Sequence, residues 1–137
     1  MVGVIFGQQG AGKTKKLLET ANASVKVAKG SLVFIDNDNS YMFDLDHAIR
    51  FINVSDYAIE SPKMLYGFLC GLAASDFDLE YIYIDRFRKI TGHDVSTLEA
   101  FFEDLVVFSE KNHVNIIMSA TVDGEAPEFL KKLALAD

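Results

Sequence analysis

Residues 2–14, Val2-Gly3-Val4-Ile5-Phe6-Gly7-Gln8-Gln9-Gly10-Ala11-Gly12-Lys13-Thr14, decide how the rest of the chain is read. Residues 2–6 form a short, mostly apolar run of strand length, and the glycine-rich segment behind them ends it. From Gly12 to about Ala28 the residues favour helix, with Leu17, Leu18, Ala21 and Val25 near helical spacing and Gly30 as a stop. Between strand and helix, residues 7–14 satisfy G-x-x-x-x-G-K-[ST] at every fixed position. Glycines let the backbone turn tightly, so that successive N–H groups converge on an anion. The helix that starts there adds the positive end of its dipole. The pattern makes Gly7, Gln8, Gln9, Gly10, Ala11, Gly12, Lys13 and Thr14 a candidate phosphate cradle. Lys13 is placed to reach β- and γ-phosphates, and Thr14 to offer its hydroxyl to Mg²⁺. A dinucleotide fingerprint does not fit, because the glycines run G-x-x-G-x-G with no further helix glycine.

Further along, residues 32–35 read as a second strand, broken by Asp36-Asn37-Asp38-Asn39-Ser40, and residues 50–54 as a weaker third. Ser61-Pro62 is an N-cap followed by proline at the first helical position, opening a helix to about Ser75. Residues 81–84 form a strong strand ended by Asp85. Ser96 and Glu99 have capping-box spacing ahead of the stripe Leu98, Phe101, Phe102, Leu105 and Phe108, which predicts a helix ending near Lys111. Residues 114–118 are the last clear strand, and Ala126-Pro127 opens a short helix with Phe129, Leu130 and Leu133. Strands alternating with helices predict an α/β fold: three α-β-α layers around a mainly parallel sheet of roughly five strands. No repeat or linker divides the chain, so residues 1–137 read as one nucleotide-binding domain.

Composition narrows the function classes. A chain of 137 residues buries about two thirds of its unfolded surface and needs no disulfide or structural metal to do so. The single cysteine, Cys70, excludes an intramolecular disulfide and a multi-cysteine zinc site, which suits a reducing cytosol. A net charge of −7 argues against a long nucleic-acid groove, although Arg86, Arg88 and Lys89 form a local basic loop. The longest apolar run, residues 64–74, is too short to span a bilayer, so neither membrane insertion nor secretion is expected.

In a parallel α/β sheet, ligands sit beyond the carboxyl ends of the strands. Asp85 stands at such an end, where a carboxylate can hold Mg²⁺ through water and Thr14. The competing reading is an ordinary aspartate turn. Arg50 and His113 begin their strands and face the opposite end, His47 has no partner at ligand spacing, and Cys70 reads as a core residue.

With the loop at residues 7–14 and Asp85 roughly 70 residues later, the chain resembles P-loop NTPases, and within them RecA/DnaB-like ATPases. The resemblance covers nearly the whole chain in layout and is most specific at the first motif. It implies ATP and Mg²⁺ as ligands and an acid just past the second strand that orients water. Asp38 and Asp36 are both candidates, with Asp38 favoured by alignment on the strand end. Family members generally use glutamate there. Ser119 or Thr121 would sense the γ-phosphate. The resemblance further implies a site shared between subunits, with Arg86 or Arg88 supplied in trans, hence self-association or a protein partner. ATP is favoured over GTP because no N-K-x-D motif occurs. Type II thymidine kinases share the layout only up to Asp85, leaving a nucleoside kinase, or a nucleotide sensor that does not hydrolyse, as alternatives.

Overall fold

Apolar strands separated by helices can pair in parallel only if each helix crosses over a face of the sheet, which buries both faces. The computed structural model of the protein, which describes residues 1–135, has this arrangement. Its elements in chain order are β1 (Val2–Gly7), α1 (Lys13–Ser24), β2 (Ser31–Asp36), β3 (Ile49–Asn53), α2 (Pro62–Ser75), β4 (Leu79–Ile84), α3 (Phe87–Thr91), α4 (Glu99–Asn112), β5 (Asn115–Thr121) and α5 (Glu128–Lys131). The five strands form one all-parallel sheet in the order β1-β5-β4-β2-β3. Helices cover both faces, giving the three-layer α/β fold.

Alternation along each strand sorts the core into two halves. Val4, Val33, Ile35, Ile82, Ile84, Ile116 and Met118 face one side, where Leu65 and Leu69 of α2 and Phe102, Leu105 and Phe108 of α4 cover them. Ile5, Phe34, Tyr83 and Ile117 face the other, where Leu17, Leu18 and Ala21 of α1 pack. An aromatic row crosses that second face: Phe51 stacks on Phe34 at 6.3 Å, Phe34 on Tyr83 at 6.2 Å, and Tyr83 on Tyr81 at 5.9 Å between centroids. The Tyr83 hydroxyl donates to Ser24 Oγ at 2.6 Å, pinning the end of α1 to the sheet.

Local signals hold at α2, where the Ser61 side chain accepts from the Met64 amide and Pro62 takes the first position. They fail at α4. Ser96 makes no cap there; it sits inside a 3-10 turn, Val95–Thr97, and Leu98 precedes the helix without a side-chain cap. The turn lets Val95 enter the core, and that burial outweighs a cap contact of about 1 kcal/mol. Helix α3 falls where only a charged loop was expected, because Phe87 and Ile90, three residues apart, are both buried.

Gly30 marks the tightest approach at the amino ends of the strands. A Cβ there would lie 1.9 Å from the Asp78 carbonyl oxygen, which accepts from the Ser31 amide at 2.7 Å. No helix among the described residues is long and apolar enough to cross a membrane.

Candidate functional site

Because every strand runs the same way, β1, β2, β4 and β5 bring Gly7, Asp36, Ile84 and Thr121 to one rim of the sheet. The sheet order matters as much as the direction. With β5 between β1 and β4, Ser119 stands beside Asp85, and both face the loop that leaves β1.

That loop turns on two glycines in the left-handed region, Gly10 at φ 82° and Gly12 at φ 84°, a conformation closed to most side chains. Gly12 leads directly into α1. Lys13 Nζ donates to the Gln8 carbonyl at 2.8 Å, so its ammonium lies folded across the loop. Burial pulls the Lys13 ammonium below its ordinary value, opposed by the charge of Asp85.

Thr14 Oγ1 donates to Asp85 Oδ2 at 2.9 Å, and Ser119 Oγ donates to Asp85 Oδ1 at 2.5 Å. The Asp85 amide is held by the Ile35 carbonyl at 3.0 Å. Asp85 and Ser119 are both buried. One carboxylate is therefore fixed between two hydroxyls that come from opposite ends of the chain. Hard oxygen donors of this kind suit Mg²⁺, which retains waters and takes few protein ligands. No cluster of three His, Cys, Asp or Glu able to hold a metal occurs among the described residues, and at this point Thr14 and Asp85 offer one hydroxyl and one carboxylate.

A cavity of about 980 Å³ opens above this triad. Gln9, Gly10, Gly12, Lys13 and Thr14 line it, as do Asp85, Ser119 and Thr121. Gly7 and Gln8 border a separate recess beside Val122. Asp36 and Asp38 are not among the residues lining the larger cavity; Arg86 is.

Arg86 explains that arrangement. Its Nε and Nη2 donate to the two oxygens of Asp36, each at 2.8 Å. Nη1 and Nη2 donate to Asp38 Oδ2 and Oδ1 at 3.0 and 2.6 Å. Asp36 is fully buried, and Tyr41 lies against the guanidinium at 5.3 Å from the ring centroid. Burial pushes the Asp36 carboxyl above its ordinary value against the pull of Arg86, while the Asp36 hydrogen bonds raise the Arg86 guanidinium further. The Ser40 amide, with Arg86, brings Asp38 down to about 2. Arg86 is therefore turned into its own chain rather than presented outward to a neighbouring subunit. Arg88 sits at the rim, paired with Asp94 and, at 3.8 Å, with Asp123. His93 Nδ1 lies 2.9 Å from the Thr91 carbonyl.

The assembled rim and the all-parallel sheet decide the comparison with known structures. The three-layer α/β fold, with its all-parallel five-stranded sheet, is similar to that of a solved structure. The structure of the flagellar accessory protein FlaH from Methanocaldococcus jannaschii superposes with a TM-score of 0.54 over 97% of this chain and 67% of that one, at 14% identity. At that identity the likeness shows the fold. No protein-family model matches the chain, and no curated protein matches it.

Several cavity residues carried no motif. Tyr41 and Phe87 line it, as do Leu18 and Asn22 of α1. Asn22 ties the segment after β2 onto α1, donating to the Asp44 carbonyl and accepting from the Asp46 amide. Only the polar run 36–40 signalled that the chain leaves the sheet there, and nothing in it fixed where the segment docks.

Proposed function

We propose that the chain binds ATP with Mg²⁺ in the cavity above Asp85 and hydrolyses the β–γ phosphate bond. The observation that carries this reading is the Thr14–Asp85–Ser119 triad, set at the mouth of a glycine loop that opens α1. Loop amides and the α1 N-terminus supply donors and positive potential for β- and γ-phosphates. Lys13 exchanges its Gln8 carbonyl for phosphate oxygen, trading a neutral acceptor for a charged one. Thr14 and Asp85 would hold Mg²⁺, whose charge would offset that of the phosphates when bound. Ser119, already donating to Asp85, fixes that carboxylate and is the group assigned here to sense the γ-phosphate. Water attacks the γ-phosphorus; its oxygen forms the new bond, the bridging β–γ bond breaks toward ADP, and the water protons pass to phosphate and solvent. An acid at residues 36–38 orients that water, with Asp38 the more exposed candidate.

Titration calorimetry with ATP, with and without Mg²⁺, tests the binding step. Lys13→Ala should weaken binding by roughly 30-fold or more, in line with loss of a charge-assisted contact of about 2 kcal/mol. Unchanged ATP affinity in a folded Lys13→Ala protein would remove the assignment. Phosphate release with and without nucleosides separates hydrolysis from phosphoryl transfer.

A further inference from the structure

Arg86 stands between the cavity and the two acids proposed above to orient water. It lines the cavity; Asp36 and Asp38 do not. A guanidinium offers five N–H donors. Nε and both hydrogens of Nη2 are committed to carboxylates, and so is one hydrogen of Nη1, which leaves a single N–H for anything in the cavity. The acids are occupied as well: Asp38 Oδ1 already accepts from Nη2 and from the Ser40 amide.

The backbone adds a second observation. Arg86 has φ 56° and ψ 47°, the left-handed region, directly after Asp85. A non-glycine residue there costs about 1–2 kcal/mol. The clamp is thus held against a local preference, and the same residue carries the strained backbone and the fork. Nearby, Asn37 Oδ1 is the buried side-chain oxygen left without a partner among the described residues, so the segment between the two acids is not fully satisfied as it stands.

We propose that Arg86 is an intramolecular latch: in this state it sequesters Asp36 and Asp38 from the cavity, so that nucleotide binds without its water being oriented, and withdrawal of the guanidinium frees Asp38 for hydrolysis. This rests on the ATPase reading given above. The competitor for the guanidinium is an anion in the cavity, a terminal phosphate, reached first by the uncommitted N–H of Nη1. The latch differs from an arginine that stabilises the transition state from where it stands. In this state the charge of Arg86 is more than cancelled by two carboxylates, so it offers little net attraction to phosphate.

The test measures steady-state phosphate release and Mg²⁺-ATP affinity on the unaltered protein and four variants. Arg86→Gln removes the fork, and Arg86→Gln with Asp36→Asn removes it while leaving no unpaired charge buried at Asp36. Arg86→Lys keeps the charge without the fork. If the latched form holds more than about 90% of the protein, opening it raises turnover about tenfold. The double variant should show that rise, with ATP affinity changed by less than about threefold and a thermal unfolding midpoint showing a folded protein. Arg86→Lys should fall between. Adding Asp38→Asn to the double variant should abolish the gain. Turnover that is unchanged or lower in a folded, ATP-binding double variant overturns the latch, as does a gain that survives Asp38→Asn. Failure of the unaltered protein to bind Mg²⁺-ATP overturns the ATPase reading itself and the latch with it.

Discussion

Removing Arg86 should destabilise the fold in a way that only a second substitution explains. Asp36 is fully buried, and two of the three hydrogen bonds it accepts come from Arg86 at 2.8 Å; the third is the Asn37 amide. Stripping one partner from a buried ion pair leaves an uncompensated charge and costs about 3–5 kcal/mol. Arg86→Ala keeps the left-handed backbone, whereas Arg86→Gly relieves it, so alanine should be the less stable of the two by about 1 kcal/mol. Asp36→Asn, added to either, removes the stranded charge and should recover about 2–3 kcal/mol, appearing as a coupling energy in the double-mutant cycle. The sign with pH follows. Burial already raises Asp36 against the pull of Arg86 and of the Asn37 amide, and once Arg86 is gone the larger of those opposing partners is lost, so its folded-state value rises further above the unfolded one. A raised acid favours the folded state at low pH, so the deficit of Arg86→Ala should shrink as pH falls from 8 to 5. Urea unfolding followed by circular dichroism measures all of these, since a domain of 5–15 kcal/mol, roughly, remains folded through most of the set. A loss below about 1 kcal/mol in Arg86→Ala, or no rescue by Asp36→Asn, would refute the claim that this fork holds a buried charge.

Other expectations are independent of that cycle. Asp85→Asn should weaken Mg²⁺-ATP binding more than metal-free nucleotide binding, measured by calorimetry in Mg²⁺ and in chelator; equal effects would make Asp85 structural. Asp38 is held near 2 in the fold, so its ionised form contributes stability above its ordinary value near 4, and that contribution is lost as pH falls from there toward 2. Acid unfolding of Asp38→Asn should therefore be shallower over that interval, and by a modest amount, because the side chain is 47% exposed. Gly30→Ala should cost about 2–3 kcal/mol in urea unfolding, since its new methyl group meets the Asp78 carbonyl that the β2–β4 register depends on.

Strand and helix identities were readable because burial on both faces of a parallel sheet forces short apolar runs, as at residues 81–84, and because α1, α2 and α4 carry apolar stripes. The loop at residues 7–14 was readable for a different reason: its glycines answer to backbone geometry, which a sequence displays directly. Asp85 and Ser119 were each legible as strand ends. Their contact was not, since it depends on β5 lying beside β4 rather than at an edge. Arg86 was misread for the same cause. As a basic residue after a strand it suggested a group turned outward, and what turns it inward is a pair of carboxylates fifty and forty-eight positions earlier. The capping-box reading of Ser96 and Glu99 failed because a local hydrogen bond competes poorly with the burial of Val95.

The order of the strands also sets when the site can exist. Strand β1 is made before the other strands, yet its strand partner in the sheet is β5, with Val2 opposite Ile116 and Gly7 opposite Thr121. Among the described residues, its other edge meets a single bridge at Ala134. During synthesis at about 5–20 residues per second, β1 and its loop wait roughly ten seconds for the strand that will frame them. Strands β2, β3 and β4 can pair among themselves in that interval. Insertion of β5 then seats β1, brings Ser119 to Asp85 and brings Thr14 within reach of both. A nascent chain stopped before β5 holds the complete glycine loop in its sequence and still lacks the carboxylate–hydroxyl frame around it, so on a ribosome the site arrives all at once and late.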